Sequence, residues 1–258
     1  MSEVIVSEIN SVAYVKLHRP DVRNAFTPDM IKELTQTFSD FNKRKDLRAA
    51  VLSGEGKVFC AGADLQWMQS MINFNFEQNK KDAANLFAMF EAMLNCALPV
   101  IGQVHGAAFG GALGLIAICD EVIAEESTKF CFSEVKLGIA PAVISGFVYL
   151  KSSRFHLRPL MLSGQVFDIA TAVQAGLVHH RVADGEAHKE VQKVLQKYFE
   201  CGPEAVRETK KLLNDIYWST WDELRERSCK LIAERRISSE GQDGLRSFLD
   251  GKKPHWVE

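Results

Sequence analysis

The chain has 258 residues, 47% hydrophobic and 25% charged, with 31 basic against 33 acidic side chains. That composition excludes collagen-like, disordered and disulfide-scaffold chains, and a formal charge of -2 offers no concentrated basic face to nucleic acid. The six cysteines (Cys60, Cys96, Cys119, Cys131, Cys201, Cys229) form no CxxC pair and have no histidine at zinc spacing, so they read as thiols of a reducing, cytoplasmic setting with no bound metal.

Val4-Ile5-Val6 and Val12 to Leu17 are β-rich runs separated by Asn10-Ser11, which predicts a hairpin. The acidic start Met1-Ser2-Glu3 leads into that strand and not into an apolar signal core. Thr27-Pro28-Asp29 supplies a hydroxyl cap, a proline at the first helical position and an acid in the first turn. Met30, Ile31, Leu34, Phe38 and Phe41 then repeat at helical spacing. Ala49 to Ser53 is a short apolar strand closed by Gly54-Glu55-Gly56.

From Ala92 to Cys119 no residue is charged, but Asn95, Pro99, Gln103, His105 and five glycines forbid a single lipid-facing helix. The run reads as a helix end, a strand from Pro99 to Val104, a glycine-rich turn from Gly106 to Gly111, and a buried helix from Ala112 to Ile118. Glu121 to Ala124 is the next strand. Asp168 to Ala175 reads as a helix stopped by Gly176, and Leu177 to Val182 as a returning strand. Strands alternating with helices predict an α/β architecture. From Gly202-Pro203 the pattern becomes helical only, with stretches to about Tyr217 and from Trp218 to Ser238. The expected division is a core over 1–200 and a helical region over 201–258.

Two small-residue turns could carry chemistry. Phe59-Cys60-Ala61-Gly62-Ala63-Asp64-Leu65 follows one strand, and His105-Gly106-Ala107-Ala108-Phe109-Gly110-Gly111-Ala112 follows another and opens a helix. Small residues let a ligand approach the backbone, and amides at a helix start lack intrahelical partners. Two such turns facing one point would build an oxyanion hole; taken singly, each is equally a packing corner. The glycines form no G-x-G-x-x-G, precede no Walker lysine, and no G-x-S-x-G elbow occurs. His179 and His180 are adjacent on a predicted strand, so they face opposite sides and do not chelate one ion.

The segments Arg19-Pro20-Asp21-Val22-Arg23-Asn24-Ala25, Phe59 to Leu65, Pro99-Val100-Ile101 with Gly106…Gly110-Gly111, Cys119-Asp120, Phe132 to Gly138, and Phe248-Leu249-Asp250…Pro254-His255-Trp256 occur in the order seen in one family. Through them the chain resembles the crotonase (enoyl-CoA hydratase/isomerase) superfamily over nearly its whole length. The resemblance implies a crotonase-type spiral of ββα turns with a C-terminal helical trimerisation region, assembling a homotrimer or a hexamer. It implies an acyl-CoA substrate and no separate cofactor, nucleic acid or membrane partner. The amides of Ala63 and Gly111 would hold the thioester oxygen. Val22, Arg23 and Ala25 would contact the CoA nucleotide, with Ala61, Asp64 and Leu65 around its adenine and pantetheine.

Fold and oxyanion hole imply a thioester enolate, while proton placement decides the reaction. Of the two glutamates usual in hydratases of this superfamily, the second matches Glu134, but the first matches Gly114, which transfers no proton. Ala61 to Met68 together with Pro141-Ala142-Val143-Ile144-Ser145 resembles a bacterial branch of 3-methylglutaconyl-CoA hydratase-like enzymes that serve leucine degradation. On that resemblance Gly114 makes room for a branched or carboxylated acyl chain, Ser145 or the substrate's own carboxylate assists Glu134, and Trp67, Met68, Met71, Phe74 and Phe76 border the acyl pocket. Lys80, Lys81 and Arg154 are the cations considered for a distal carboxylate. The alternatives are a Δ3,Δ2-enoyl-CoA isomerase working through Glu134 alone, and a non-catalytic CoA-binding protein.

Overall fold

The computed structural model describes residues 2–257. Strands β1 (Val4–Ile9) and β2 (Val12–Leu17) pair antiparallel around Asn10-Ser11, which adopts positive φ to close the hairpin. Helix α1 (Pro28–Phe41) starts at its expected cap, where Thr27 Oγ1 accepts the Met30 amide at 3.0 Å, and it buries the five predicted apolar residues. Strand β3 (Ala49–Gly54) is followed by α2 (Leu65–Met71), which the sequence pattern left unassigned, and α3 (Phe76–Leu94), of which the sequence pattern showed only the end. The uncharged run then resolves into the end of α3, β4 (Val100–Val104), β5 (Ala107–Phe109) and α4 (Ala112–Ile118), every residue of α4 being buried. No helix among the described residues is long and apolar enough to cross a membrane.

Strands β6 (Glu121–Glu125) and β7 (Lys129–Cys131) repeat the strand-turn-strand path of β4 and β5. Helices α5 (Ala142–Lys151), α6 (Arg154–Ser163) and α7 (Ile169–Gln174) precede β8 (His180–Val182). The last strand is shorter than the expected Leu177–Val182 because the Leu177 amide folds back onto the Ala172 carbonyl at 3.0 Å, closing α7. Helices α8 (Ala187–Phe199), α9 (Pro203–Ile216), α10 (Trp221–Ile237) and α11 (Ser239–Leu249) complete the chain. α10 begins at Trp221 and not at Trp218, since Thr220 and Glu223 form a capping box there.

The main sheet has the order β1-β2-β3-β4-β6-β8, parallel after the first hairpin. Alternation splits its side chains between two cores. Ala13, Val15, Leu17, Ala50, Leu52, Val100, Val104 and Val122 join the large core with α1, α3 and α4. Val12, Val51, Ile101 and Ile123 face α8 through Val191, Val194 and Leu195. A second, short layer links successive turns of the spiral: Phe26 bridges Ala63, Cys60 bridges Ala108, β5 pairs with β7, and Phe130 bridges Phe167. It is this layer that stacks the two glycine-rich turns.

Helix α9 is bolted to the core by two buried cations. Lys210 Nζ donates to the Leu98 carbonyl at 2.8 Å and pairs with Asp120 at 2.7 Å, while Arg207 donates to the Arg44 and Leu47 carbonyls. By contrast, α10 and α11 bury no residue, and Trp221, Ile237, Phe248 and Leu249 stand exposed.

Candidate active site

The first turn is held by the segment 19–26. Arg23 and Asn24 take left-handed backbone conformations, φ 57° and 54°, and turn the chain so that it runs beside residues 61–64. The Ala61 amide then donates to the Arg23 carbonyl (3.0 Å), Phe26 to Gly62 (2.7 Å) and Asp64 to Phe26 (2.9 Å). Asn24 is fully buried and satisfied: Nδ2 donates to the Glu55 and Val58 carbonyls, and Oδ1 accepts the Arg19 amide. The structural roles of Arg19 and Asn24 were not assigned from the sequence, although both lie in a motif that was recognised.

Asp64 is occupied with structure. Its carboxylate caps α2 through the Gln66 and Trp67 amides and pairs with Arg19 Nη1 at 2.9 Å. Burial pushes its pKa up, but the Arg19 guanidinium and the two amides outweigh that and hold it below the usual carboxylate range. Asp64 thus positions the neighbouring Ala63 amide while its charge is neutralised within the protein.

The second turn lies against the first. A Cβ on Gly62, whose φ is +95°, would stand 2.8 Å from the Phe109 carbonyl oxygen, so only glycine permits this approach. A Cβ on Gly111 would stand 3.1 Å from the ring of Phe26, the same residue whose backbone is hydrogen-bonded to the first turn. Phe26 therefore locks the two turns together from beneath, a role with no signature in the sequence. The amides of Ala63 and Gly111 donate to no acceptor among the described residues. Ala63 is exposed and Gly111 half-buried, so a ligand can reach both.

Glu134 opens the short 3-10 turn Glu134–Leu137 after β7. Its Oε1 would lie 3.5 Å from a Cβ on Gly110, which places the carboxylate beside the second turn. Its Oε2 is buried without a hydrogen-bond partner among the described residues. Burial raises the pKa above the usual glutamate value, and a bond with its own backbone offsets only part of that shift. A desolvated acid with an unpaired oxygen beside the second glycine turn has the attributes of a proton carrier.

The remaining sequence-predicted residues divide. At Gly114 the space a side chain would enter is taken by neighbouring residues. A Cβ there would stand 2.6 Å from Phe90 Cζ and 2.7 Å from Ile144 Cγ2, so the protein's own side chains fill the space. Trp67 is turned into the large core, 7% exposed, with Nε1 donating to Asp82. The Ser145 hydroxyl donates to the Pro141 carbonyl at 2.6 Å, and no hydrogen bond joins it to Glu134. Val22, Arg23 and Leu65 are exposed near the first turn; Ala61 is half-buried; Ala25 is buried, its carbonyl taking Arg19 Nη1. Lys80 and Lys81 are exposed on α3, and the Arg154 guanidinium lies 6.0 Å from the Tyr149 ring centroid. His179 accepts from the Val122 amide and His180 pairs with Glu121, so the two rings serve different partners.

Residues 7–258 match the family model of the enoyl-CoA hydratase/isomerases. An Alternaria alternata enoyl-CoA hydratase, AKT6-1, is 30% identical over 242 residues, covering 93% of this chain and 78% of that protein. The crystal structure of a Shewanella pealeana enoyl-CoA hydratase superposes with a TM-score of 0.92 at 34% identity, covering 98% of this chain and 96% of that one. Pseudomonas aeruginosa AtuE gives 0.96 at 29% identity, covering 99% and 100%. The α/β spiral is the crotonase fold of these neighbours.

Proposed function

The chain belongs to the enoyl-CoA hydratase/isomerase family, and from that premise we propose that it hydrates the CoA thioester of a branched or carboxylated 2-enoyl acid, with 3-methylglutaconyl-CoA as the reference substrate. The hydratase names of its relatives support the reaction class. The observation that carries the reading is the buried, unpartnered Glu134 Oε2 beside the Gly110-Gly111 turn.

In this reading the thioester oxygen accepts from the Ala63 and Gly111 amides, which stabilise the negative charge that develops there as the α,β double bond is attacked. The water oxygen bonds to the β-carbon. Glu134 takes one water proton and delivers it to the α-carbon, so the product gains one water and Glu134 ends as it began. A raised pKa suits a group that must both accept and return a proton. Phe90 and Ile144 supply no acid where a second one would stand; the substrate's distal carboxylate orients the water instead. The CoA nucleotide lies along Val22, Arg23, Ala25 and Ala61, and the pantetheine passes Leu65.

The test follows loss of the conjugated-thioester absorbance with 3-methylglutaconyl-CoA. Glu134→Gln is expected to lower kcat by at least about a hundredfold; activity surviving within about tenfold overturns the assignment. A second reading, transfer of a proton between the α- and γ-carbons by Glu134 alone, is favoured by the same apolar wall at Gly114. It requires that 3-enoyl-CoA gain conjugation at a higher kcat/KM than 2-enoyl-CoA loses it. The helical end of the chain completes the proposal: α10 and α11 assemble a homotrimer or a pair of trimers.

A further inference from the structure

The filled space at Gly114 belongs to a longer partition. The Phe90 ring, which the Gly114 position touches, lies 5.5 Å from the ring of Phe147, and Phe147 lies 5.0 Å from Phe87. Phe87 and Phe147 line a cavity of about 870 Å³ at the far end of α4, where Ala117 and Ile118 of the same helix also face it. Phe90 does not line that cavity and is fully buried. One helix thus carries the Gly111 turn at its start and, at its end, a cavity with an apolar side and a rim that includes Glu91, Lys151 and Asp215, about 10 Å apart at 1.5 Å per residue. Phe90 and Ile144 stand nearest Gly114 on that path, with Phe147 next to Phe90 at the cavity wall.

We infer that Phe90 sets the upper limit of acyl-chain length, standing as a removable wall between the catalytic turn and the chamber at the C-terminal end of α4. This rests on the reading that acyl-CoA binds at Ala63, Gly111 and Glu134. With the wall in place the site takes short acyl groups; without it, a straight apolar tail runs past Gly114 into the chamber. Phe87, Phe147, Leu150 and Leu213 provide the apolar lining that such a tail would bury.

The experiment compares butanoyl- and decanoyl-CoA binding by calorimetry, and turnover of the matching 2-enoyl thioesters, in the wild type, Phe90→Ala and Phe90→Leu. Leucine keeps the core filled if alanine does not fold, yet is too short to span to Gly114. Wild type is expected to favour the short chain. In either folded variant the ratio of long- to short-chain affinity should rise at least about tenfold, the gain that roughly two newly buried methylenes supply. An unchanged ratio, or a wild type that already binds decanoyl-CoA as well as butanoyl-CoA, overturns the inference while leaving the acyl-CoA reading intact. A wild type that binds 3-methylglutaconyl-CoA but neither straight-chain thioester overturns this inference alone, and one that binds none of the three overturns the acyl-CoA reading and takes this inference with it.

Discussion

Glu134 is held where its charge is disfavoured, and two measurable consequences follow. Its carboxylate must be ionised to accept a proton, so the acid limb of kcat/KM should lie above the usual glutamate value of about 4.3; a limb at or below that value contradicts the assigned role. A raised folded-state pKa favours folding below the unfolded pKa, and that contribution is lost as pH rises through the folded pKa. Glu134→Gln should therefore raise the Tm at neutral pH and leave it unchanged below about pH 4, measured by calorimetry. A variant less stable than wild type at neutral pH would show that the acid serves packing and not proton transfer. Asn24 behaves in the opposite way, because every polar group it offers is used. Asn24→Ala strands three carbonyls and one amide, and urea titration is expected to show a loss of about 2–4 kcal/mol.

At the scale of elements, α4 and its neighbours explain what was legible and what was not. The strand-turn-helix order around Gly106–Ile118 was readable because glycine, an apolar run and the lack of charge all act locally. Glu134 was readable only through the family motif, since its burial comes from distant chain. The surroundings of Gly114 were illegible for a related reason. A glycine announces missing volume, but whether ligand or protein fills it depends on Phe90 and Ile144, which lie 24 and 30 residues away along the chain. Helix α2 and the start of α3 went unassigned although Asp64 and Asn75 cap them, because small residues and the glycine turn upstream drew the functional reading. Gly114→Ala is expected to cost about 1–3 kcal/mol through overpacking. Phe90→Leu should relieve much of that in the double variant, so the two changes are non-additive; strict additivity in urea titrations would show that the two sites do not press on each other. Asp64→Ala removes the α2 cap and an ion pair, and a loss of about 1–2 kcal/mol with a rise in KM is expected. An unchanged KM would mean that the Ala63 amide is held without it.

The whole molecule is unevenly secured. α9 is anchored by buried cations, so Lys210→Met, which leaves Asp120 without its partner, should cost about 3–5 kcal/mol; a loss below 1 kcal/mol in urea titration would show that the anchor is dispensable. Beyond α9 the exposed faces of Trp221, Ile237, Phe248 and Leu249 are far more apolar than an isolated helix pair tolerates in water. Light scattering is expected to give three or six times the monomer mass, and the pair Phe248→Asp and Leu249→Asp to lower it. A monomer at micromolar concentration would refute the assembly. The spiral's existence was visible in the order of its motifs; its second layer was not, since single-residue bridges such as Cys60 to Ala108 leave no periodic trace.

The packing of Phe90 and Ile144 onto Gly114 also bears on redesign. Glycine and glutamate codons can differ by one base, so an empty pocket would put a two-acid site a single mutation away. Here the introduced side chain would collide with two neighbours. Adding the acid therefore calls for matched changes on three helices, α3, α4 and α5.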